Sequence, residues 1–528
     1  MTRRERATLV AAILGSAIVF LDGTIVNIAL KNIGLELPHT IVGKLEGLTY
    51  ISSGYLATLA AFLILAGALG DYYGRRRVFL IGLVGFGVTS AACGLAPSLE
   101  ILAAARVLQG IAGALLVPGS LSIITATFEG PARGRAFGIW AAATSAVTTL
   151  GPPIGGILVE LVSWRSAFLL NVPLVFIAVW LTWRFMAESR DETATGHFDW
   201  LGAGVAAVAV GGLSFGVIRA DQQRWQDPVA FVAIGLGIVG FIAFPILMAV
   251  RKHPLVPLAL FRIRSFAAIN LSTLLIYGAL YANFTFQALF LQGTLGYSPL
   301  AAALTGLPTG ILLTILSTRV GTIAGRIGAR RFLVGGPLIM ATALLWWLRV
   351  PATSTPWTAS LSDPSTLVPP LAVFTDPLPS SLLFGIGIAL VVAPLTSTLM
   401  SSIPVRNAGL GSAINNALSR VGQPIMAAAL FIVVNGTFYA ALAAAVPGTD
   451  ANSAALRAAY APLNPPPLNA DPVLAAAAQS ASADAFHLAA IVCAALLVAG
   501  AIVNLIGLRA GPAHPEPSGP AVPSEAGG

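Results

Sequence analysis

Apolar runs of bilayer length recur from one end of this chain to the other, each closed by a short polar stretch. A window of about 19 residues crosses about 30 Å of hydrocarbon. Such windows fall at roughly 8–30, 48–69, 78–96, 100–124, 136–160, 166–186, 200–218, 229–250, 267–291, 300–323, 332–350, 379–403, 408–434 and 486–508. The pattern predicts an all-α polytopic membrane protein with 14 transmembrane helices, and an even number of crossings puts both termini on one side.

Polar residues inside these runs are the exceptions that carry information. "IVFLDGTIVNIAL" at 18–30 holds Asp22 and Asn27. A charge at the centre of a bilayer helix costs about 2.5 to 3.5 kcal/mol on insertion scales, so an intramembrane carboxylate is a candidate functional group by default. Asp22 lies about 12 Å along its span from the outer end, and Arg106 about 9 Å from the outer end of the fourth span, at 1.5 Å per residue. Similar depth predicts one polar cluster, joined directly or through water and Gln109, which stands one turn from Arg106 on the same helix face. A titrating site coupled to transport and a structural ion pair both fit Asp22, since burial raises and a nearby arginine lowers a carboxyl pKa. The same two readings apply to Arg106 with Gln109, and to Arg420 with Asn416, four residues apart in the thirteenth span.

Composition agrees with the pattern. Hydrophobic residues make up 56% of 528 and charged residues only 9%, against about 45–50% and about 25% in soluble domains. The net charge of +8 does not point to nucleic acid, because the basic residues are parcelled out between helices instead of clustered on one face. They do set orientation: roughly 19 Lys and Arg fall on the side of the termini and about 7 on the other. Both termini are therefore expected in the cytoplasm and the chain in the plasma membrane. The basic N-terminal run is read as a retained first helix, since its apolar stretch exceeds a signal core and holds Asp22 and Asn27. The two cysteines, Cys93 and Cys493, lie 400 residues apart in apolar runs, and the five histidines have no ligand spacing. No metal site and no cofactor are expected.

One repeat organises the chain. "GALGDYYGRRR" at 67–77 and "GTIAGRIGARR" at 321–331 align Gly67, Asp71 and Gly74 with Gly321, Gly325 and Gly328, each after an even-numbered span. Duplicated six-helix halves are implied: 1–190 and 256–508, with 191–255 as two inserted helices at the lipid-facing periphery. The outer connections 351–378 and 435–485, rich in Pro, Ala and Ser, read as flexible loops. The tail 509–528 reads as disordered by composition. Glycines and arginines at the repeat need only a tight basic turn, which leaves Asp71 to explain. With Arg75 and Arg76 it makes a charged lock for one conformation, or else serves topology alone. In the ninth span Tyr277 and Tyr281 stand one turn apart near Asn283 and Gln287. They suit an aromatic cargo cavity and ordinary packing equally.

Several of these blocks together resemble the major facilitator superfamily, and within it the fourteen-helix drug:proton antiporter branch. "LDGTIVNIAL" (21–30) resembles the branch's first-helix signature and "GALGDYYGRRRVF" (67–79) the superfamily's loop motif. "RVLQGIAGALLVPGS" (106–120) resembles the motif around an intramembrane arginine, and "GPPIGGIL" (151–158) the antiporter motif. "WRSAFLLNVPL" (164–174) and "GSAINNALSRVG" (411–422) are similar to further blocks of the branch. Lys31 and Tyr50 depart from the pattern, at positions that bear on cargo fit. The resemblance implies a fold of two six-helix bundles plus two extra central helices. It also implies that Gly151, Pro152, Pro153, Gly155 and Gly156 seal the path between the halves, although small-residue packing accounts for the glycines as well. The implied function is export of hydrophobic or amphipathic small molecules in exchange for protons by alternating access. Its partners would be the bilayer, the cargo and protons, and the protein would act as a monomer. A dedicated metabolite exporter or an importer on the same fold is the alternative. A membrane-embedded enzyme would need a His, Asp, Ser or Cys cluster at one depth, which the sequence lacks. A lone deep carboxylate favours neutral or monocationic cargo over dications.

Overall fold

The computed structural model describes residues 1–38, 44–190, 198–222, 226–360, 363–446, 450, 453–467 and 470–509. The expected tail therefore lies outside the described residues beyond Arg509, as do the side chains of Asn27, Lys31, Pro152, Pro153, Gly156 and Glu160. The first half comprises α1 (Arg3–Glu36), α2 (Lys44–Tyr73), α3 (Arg75–Gly94), α4 (Leu99–Ala114), α5 (Leu116–Thr127), α6 (Gly130–Leu161), α7 (Arg165–Leu169) and α8 (Asn171–Phe185). Then come α9 (Trp200–Gln222), α10 (Pro228–Val250) and the short α11 (Ala259–Arg262). The second half comprises α12 (Arg264–Leu289), α13 (Pro299–Ile327), α14 (Arg330–Trp346), α15 (Leu371–Thr375), α16 (Pro377–Ser401), α17 (Ala408–Ala445), α18 (Ala454–Ala459) and α19 (Pro472–Gly507).

Among the described residues, 13 segments are long and apolar enough to cross a membrane. The pairs α4/α5 and α7/α8 each form one of them. Both breaks have the same cause. Pro118 lacks an N–H and its ring collides with the carbonyl four residues back, which interrupts the helix at Leu115; Pro173 does the same at Leu170. The expected span 136–160 corresponds to α6, 32 residues long but not among the 13.

The two halves meet along two seams, α2 against α17 and α6 against α13. Glycine makes both possible. A Cβ on Gly67 would stand 2.3 Å from the carbonyl oxygen of Gly409, and one on Gly321 would stand 2.7 Å from that of Gly134. The repeat glycines thus occupy equivalent seams, each pressed against the opposite half. Gly74 and Gly328 also share a conformation, φ 111° and 93°, open to glycine at little cost.

Two expectations need correction. The inserted pair is not uniformly peripheral: α10 turns a row of large apolar side chains outward, but α9 packs on α2 and also reaches α17. Gly211 permits this, because a Cβ there would lie 2.8 Å from that of Ala61. The outer connections are tied down. Trp357 donates its ring N–H to the Thr366 carbonyl at 2.9 Å, while the Ser298 amide and hydroxyl bond the carbonyls of Trp357 and Ala359 at 3.1 and 2.7 Å. Much of 435–485 is helix, since α17 runs on to Ala445 and α19 begins at Pro472. Both extensions are rich in alanine, the best helix former, which a hydropathy window undervalues.

Asp199 fastens the inserted pair. It accepts from the Gly202 amide (2.9 Å) at the start of α9, from the Leu255 amide (3.1 Å), and from Arg251 (2.6 Å) at the end of α10. Burial alone would raise its pKa, but the Arg251 hydrogen bond and the two amides outweigh that and hold the carboxyl below the usual carboxylate range. Its contribution to stability is therefore present above the unfolded value, about 3.9, and is lost as pH falls through the lower folded value. Melting curves from pH 6 to pH 3 should show the native protein losing more stability than Asp199→Asn; parallel losses would contradict this.

Candidate functional site

The polar cluster of the first half is built from five elements. Asp22 comes from the middle of α1, Arg106 and Gln109 from α4, Ser90 from α3, Asn171 from the start of α8 and Tyr55 from α2. All six side chains are buried, Asp22 completely. Arg106 forms an ion pair with Asp22 and donates to the Gln109 side-chain oxygen at 2.7 Å. Its Nε donates to the Ile51 carbonyl at 3.1 Å, and its guanidinium lies 4.0 Å from the centre of the Tyr55 ring. The second Asp22 oxygen accepts from Gln109 at 3.2 Å and from Asn171 at 3.0 Å. Ser90 is the common acceptor behind them, at 3.1 Å from Gln109 and 2.9 Å from Asn171.

Both charges are thus met by opposite charge and by dipoles, the condition for keeping ions in a low-dielectric interior. Sequence reasoning missed Ser90, Asn171 and Tyr55. Asn171 carried a usable signal, an amide inside the apolar run "FLLNVPLVF", whereas Ser90 in the small-residue run "GVTSAACG" carried none.

Gly151 and Gly155 adjoin this cluster through α1. A Cβ on Gly151 would lie 2.2 Å from the Thr24 hydroxyl, and one on Gly155 would lie 2.9 Å from the Ile25 side chain. The described part of "GPPIGG" thus presses α6 onto the helix that carries Asp22, within one half.

At the basic end of the α2/α17 seam, Asp71 accepts from the backbone amides of Gly409 (3.1 Å) and Leu410 (2.8 Å) in the first turn of α17. Arg75 donates twice to Asp71, at 2.8 and 3.0 Å, and reaches across to the Val405 carbonyl. A carboxylate on a helix N-terminus meets free amides and the positive end of the dipole. Arg76 serves its own half, bonding the Trp183 carbonyl at 2.8 Å, with its amide bonded to Glu188 at 3.0 Å. Gly325 offers nothing comparable at the other seam, where a Cβ would face only Pro131, at 3.8 Å.

The second-half candidates fall into separate groups. Tyr277 and Tyr281 lie 6.1 Å apart by ring centre, and Asn283 donates to Gln287 at 3.1 Å. Gln287 lines a cavity of about 170 Å³ with Phe284 and Phe384. Asn415, not singled out from the sequence, joins α17 to α12 through Thr273 (2.8 Å) and Asn270 (3.2 Å). Asn416 bonds the Ser412 carbonyl of its own helix at 2.9 Å. Arg420 is half-buried on α17. Among the described residues no three His, Cys, Asp or Glu side chains converge to hold a metal ion.

Comparison with known proteins matches residues 12–427 to the model of the Major Facilitator Superfamily. The multidrug resistance protein Stp of Mycobacterium tuberculosis (strain CDC 1551 / Oshkosh) is 34% identical over 432 residues, covering 80% of this chain and 75% of that one. The tetracenomycin C resistance and export protein of Streptomyces glaucescens is 33% identical over 432 residues, covering 82% and 76%. Among solved structures, the human organic anion transporter MFSD10 superimposes with a TM-score of 0.57 at 17% identity, over 96% of this chain and 100% of that one; this likeness concerns the fold alone.

Proposed function

This chain belongs to the major facilitator superfamily, and on that premise we propose that it is a secondary active exporter of hydrophobic or amphipathic, drug-like small molecules, working by alternating access in exchange for protons. Its relatives include resistance and export proteins. One observation carries the proton part of the reading: a carboxylate with no solvent exposure, deep in the first helix, held by Arg106 and two amides. Asp22 can change charge while its neighbours keep it in place, as coupling requires.

The remaining roles follow from position. Gly67, Asp71 and Arg75 hold the halves together at the basic end, with Gly74 supplying the turn behind them, and their release opens that end. We count α6 as the fourteenth span, because it is 32 residues long and lies on the α13 seam from Gly134 to Thr149. The basic loops face the cytoplasm, as do both termini, in the plasma membrane, and the protein works as a monomer.

Proteoliposomes with an imposed pH gradient test the coupling. Asp22→Asn combined with Arg106→Gln replaces both charges by hydrogen-bonding amides and leaves no buried ion alone. The native protein should drive cargo against its concentration gradient, and the double variant should only equilibrate it. Uphill transport by the double variant would remove Asp22 from the coupling mechanism.

A further inference from the structure

Asp22 and Arg106 cancel each other's charge, whereas Arg420 of α17 stands inside an apolar segment without a counter-ion among the described residues. Its position follows from the packing of α17. Ala413 meets α2, with its Cβ 2.5 Å from where a Cβ on Gly67 would stand. Asn416 and Arg420, three and seven residues further on, share that helix face. The opposite face belongs to the second half: Asn415 bonds α12, and a Cβ on Gly422 would lie 2.9 Å from Leu274 of the same helix. Arg420 therefore points toward the first half, twelve residues or about 18 Å into α17, deep in a segment of bilayer length.

On the first half's side of the seam, α2 carries Tyr55, whose ring covers the Arg106 guanidinium of the cluster. Among the described residues Arg420 has no carboxylate partner and makes no hydrogen bond, unlike Arg75, Arg106, Arg219 and Arg251, each of which has an ion pair. A guanidinium is a planar fork of donors suited to a two-oxygen acceptor. Left without a counter-charge, it attracts anions and repels cations.

We propose that Arg420 is a binding subsite for an ionised acidic group, so that the preferred cargo is an amphipathic organic monoanion, an apolar ring system bearing a carboxylate or an acidic phenol. The subsite's place on the transport path rests on the export reading above; its affinity for anions does not. The acidic group docks on the guanidinium, and the apolar body lies along the α2 and α17 side chains of the seam. A monocation meets a net positive site.

Three matched probes decide it: 3-hydroxy-2-naphthoate, its methyl ester, and a naphthyl-trimethylammonium ion. Binding is measured by equilibrium dialysis on the full chain in nanodiscs, and transport in proteoliposomes. The native protein should bind the acid at least tenfold more tightly than the ester or the cation. Arg420→Gln should abolish that preference and leave ester binding unchanged, and Arg420→Lys should retain part of it. Arg420→Gln removes an unpaired, half-buried charge, so its melting temperature should not fall. Absence of an acid preference in the native protein, or its survival in Arg420→Gln, overturns the subsite. Arg420-dependent acid binding without transport leaves the subsite standing and overturns the export reading.

Discussion

Asn in place of Asp22 should destabilise this protein far more than Gln in place of Arg106. The two residues form one buried pair, yet they differ in what each can do when left alone. Arg106→Gln leaves a carboxylate that still accepts from Gln109 and Asn171, and a carboxylate without a counter-charge can take up a proton and become neutral. Asp22→Asn leaves a guanidinium, which cannot lose its proton inside a protein. It retains the Gln109 oxygen, the Ile51 carbonyl and the Tyr55 ring, none of them an anion. Breaking a buried pair costs about 3–5 kcal/mol when the surviving charge must stay, and the arginine is the partner that must. Thermal unfolding in nanodiscs should rank the native protein first, then Arg106→Gln, then Asp22→Asn. The double variant should be more stable than Asp22→Asn. Equal losses in the two single variants would show that the pair's charge does not govern stability.

Gly67→Ala should shift the conformational equilibrium without touching the cluster. A Cβ at 67 would lie 2.3 Å from a backbone oxygen of α17 and 2.5 Å from the Ala413 Cβ, and neither can rotate away. Overpacking of this kind costs about 1–3 kcal/mol. The cost applies only while α2 and α17 are together at the basic end, so it becomes a bias of about 5- to 150-fold toward the state in which they part. Spin labels on cysteines replacing Arg77 and Arg406, both exposed and on opposite halves at that end, read the separation directly. A growing long-distance population is expected in Gly67→Ala. An unchanged distribution would mean that the halves tolerate the extra methyl group by local adjustment, and that this contact does not set the equilibrium.

Depth was legible in the sequence and orientation was not. Counting 1.5 Å per residue placed Asp22 and Arg106 at one level, and the structure joins them. The same counting could not show that Asn171 and Ser90 turn toward that point, because rotation about a helix axis depends on neighbours that apolar runs do not specify. Span positions were readable from hydropathy. Their outer ends were not, since alanine-rich turns such as "YAALAAA" and "PVLAAAAQSASADAF" resemble linkers in composition while favouring helix. The placement of α9 was lost for a related reason: its small residues suit lipid as well as a close approach to α2, and only the contact of Gly211 with Ala61 decides between them.

The two seams, alike in their glycines, differ in how they are held. Along α6 and α13, close approaches run from Gly134 and Gly321 at the basic end to Thr149 and Gly310 well along both helices. Along α2 and α17, Asp71 and Arg75 reach backbone groups of the partner helix that are lost as soon as the helices separate. Interlocked backbones can pivot on one another while staying in touch, whereas polar contacts of this kind break over an ångström or so. On the export reading proposed above, the first seam would act as a hinge and the second as a latch, so that opening at the basic end would start on the side of α9.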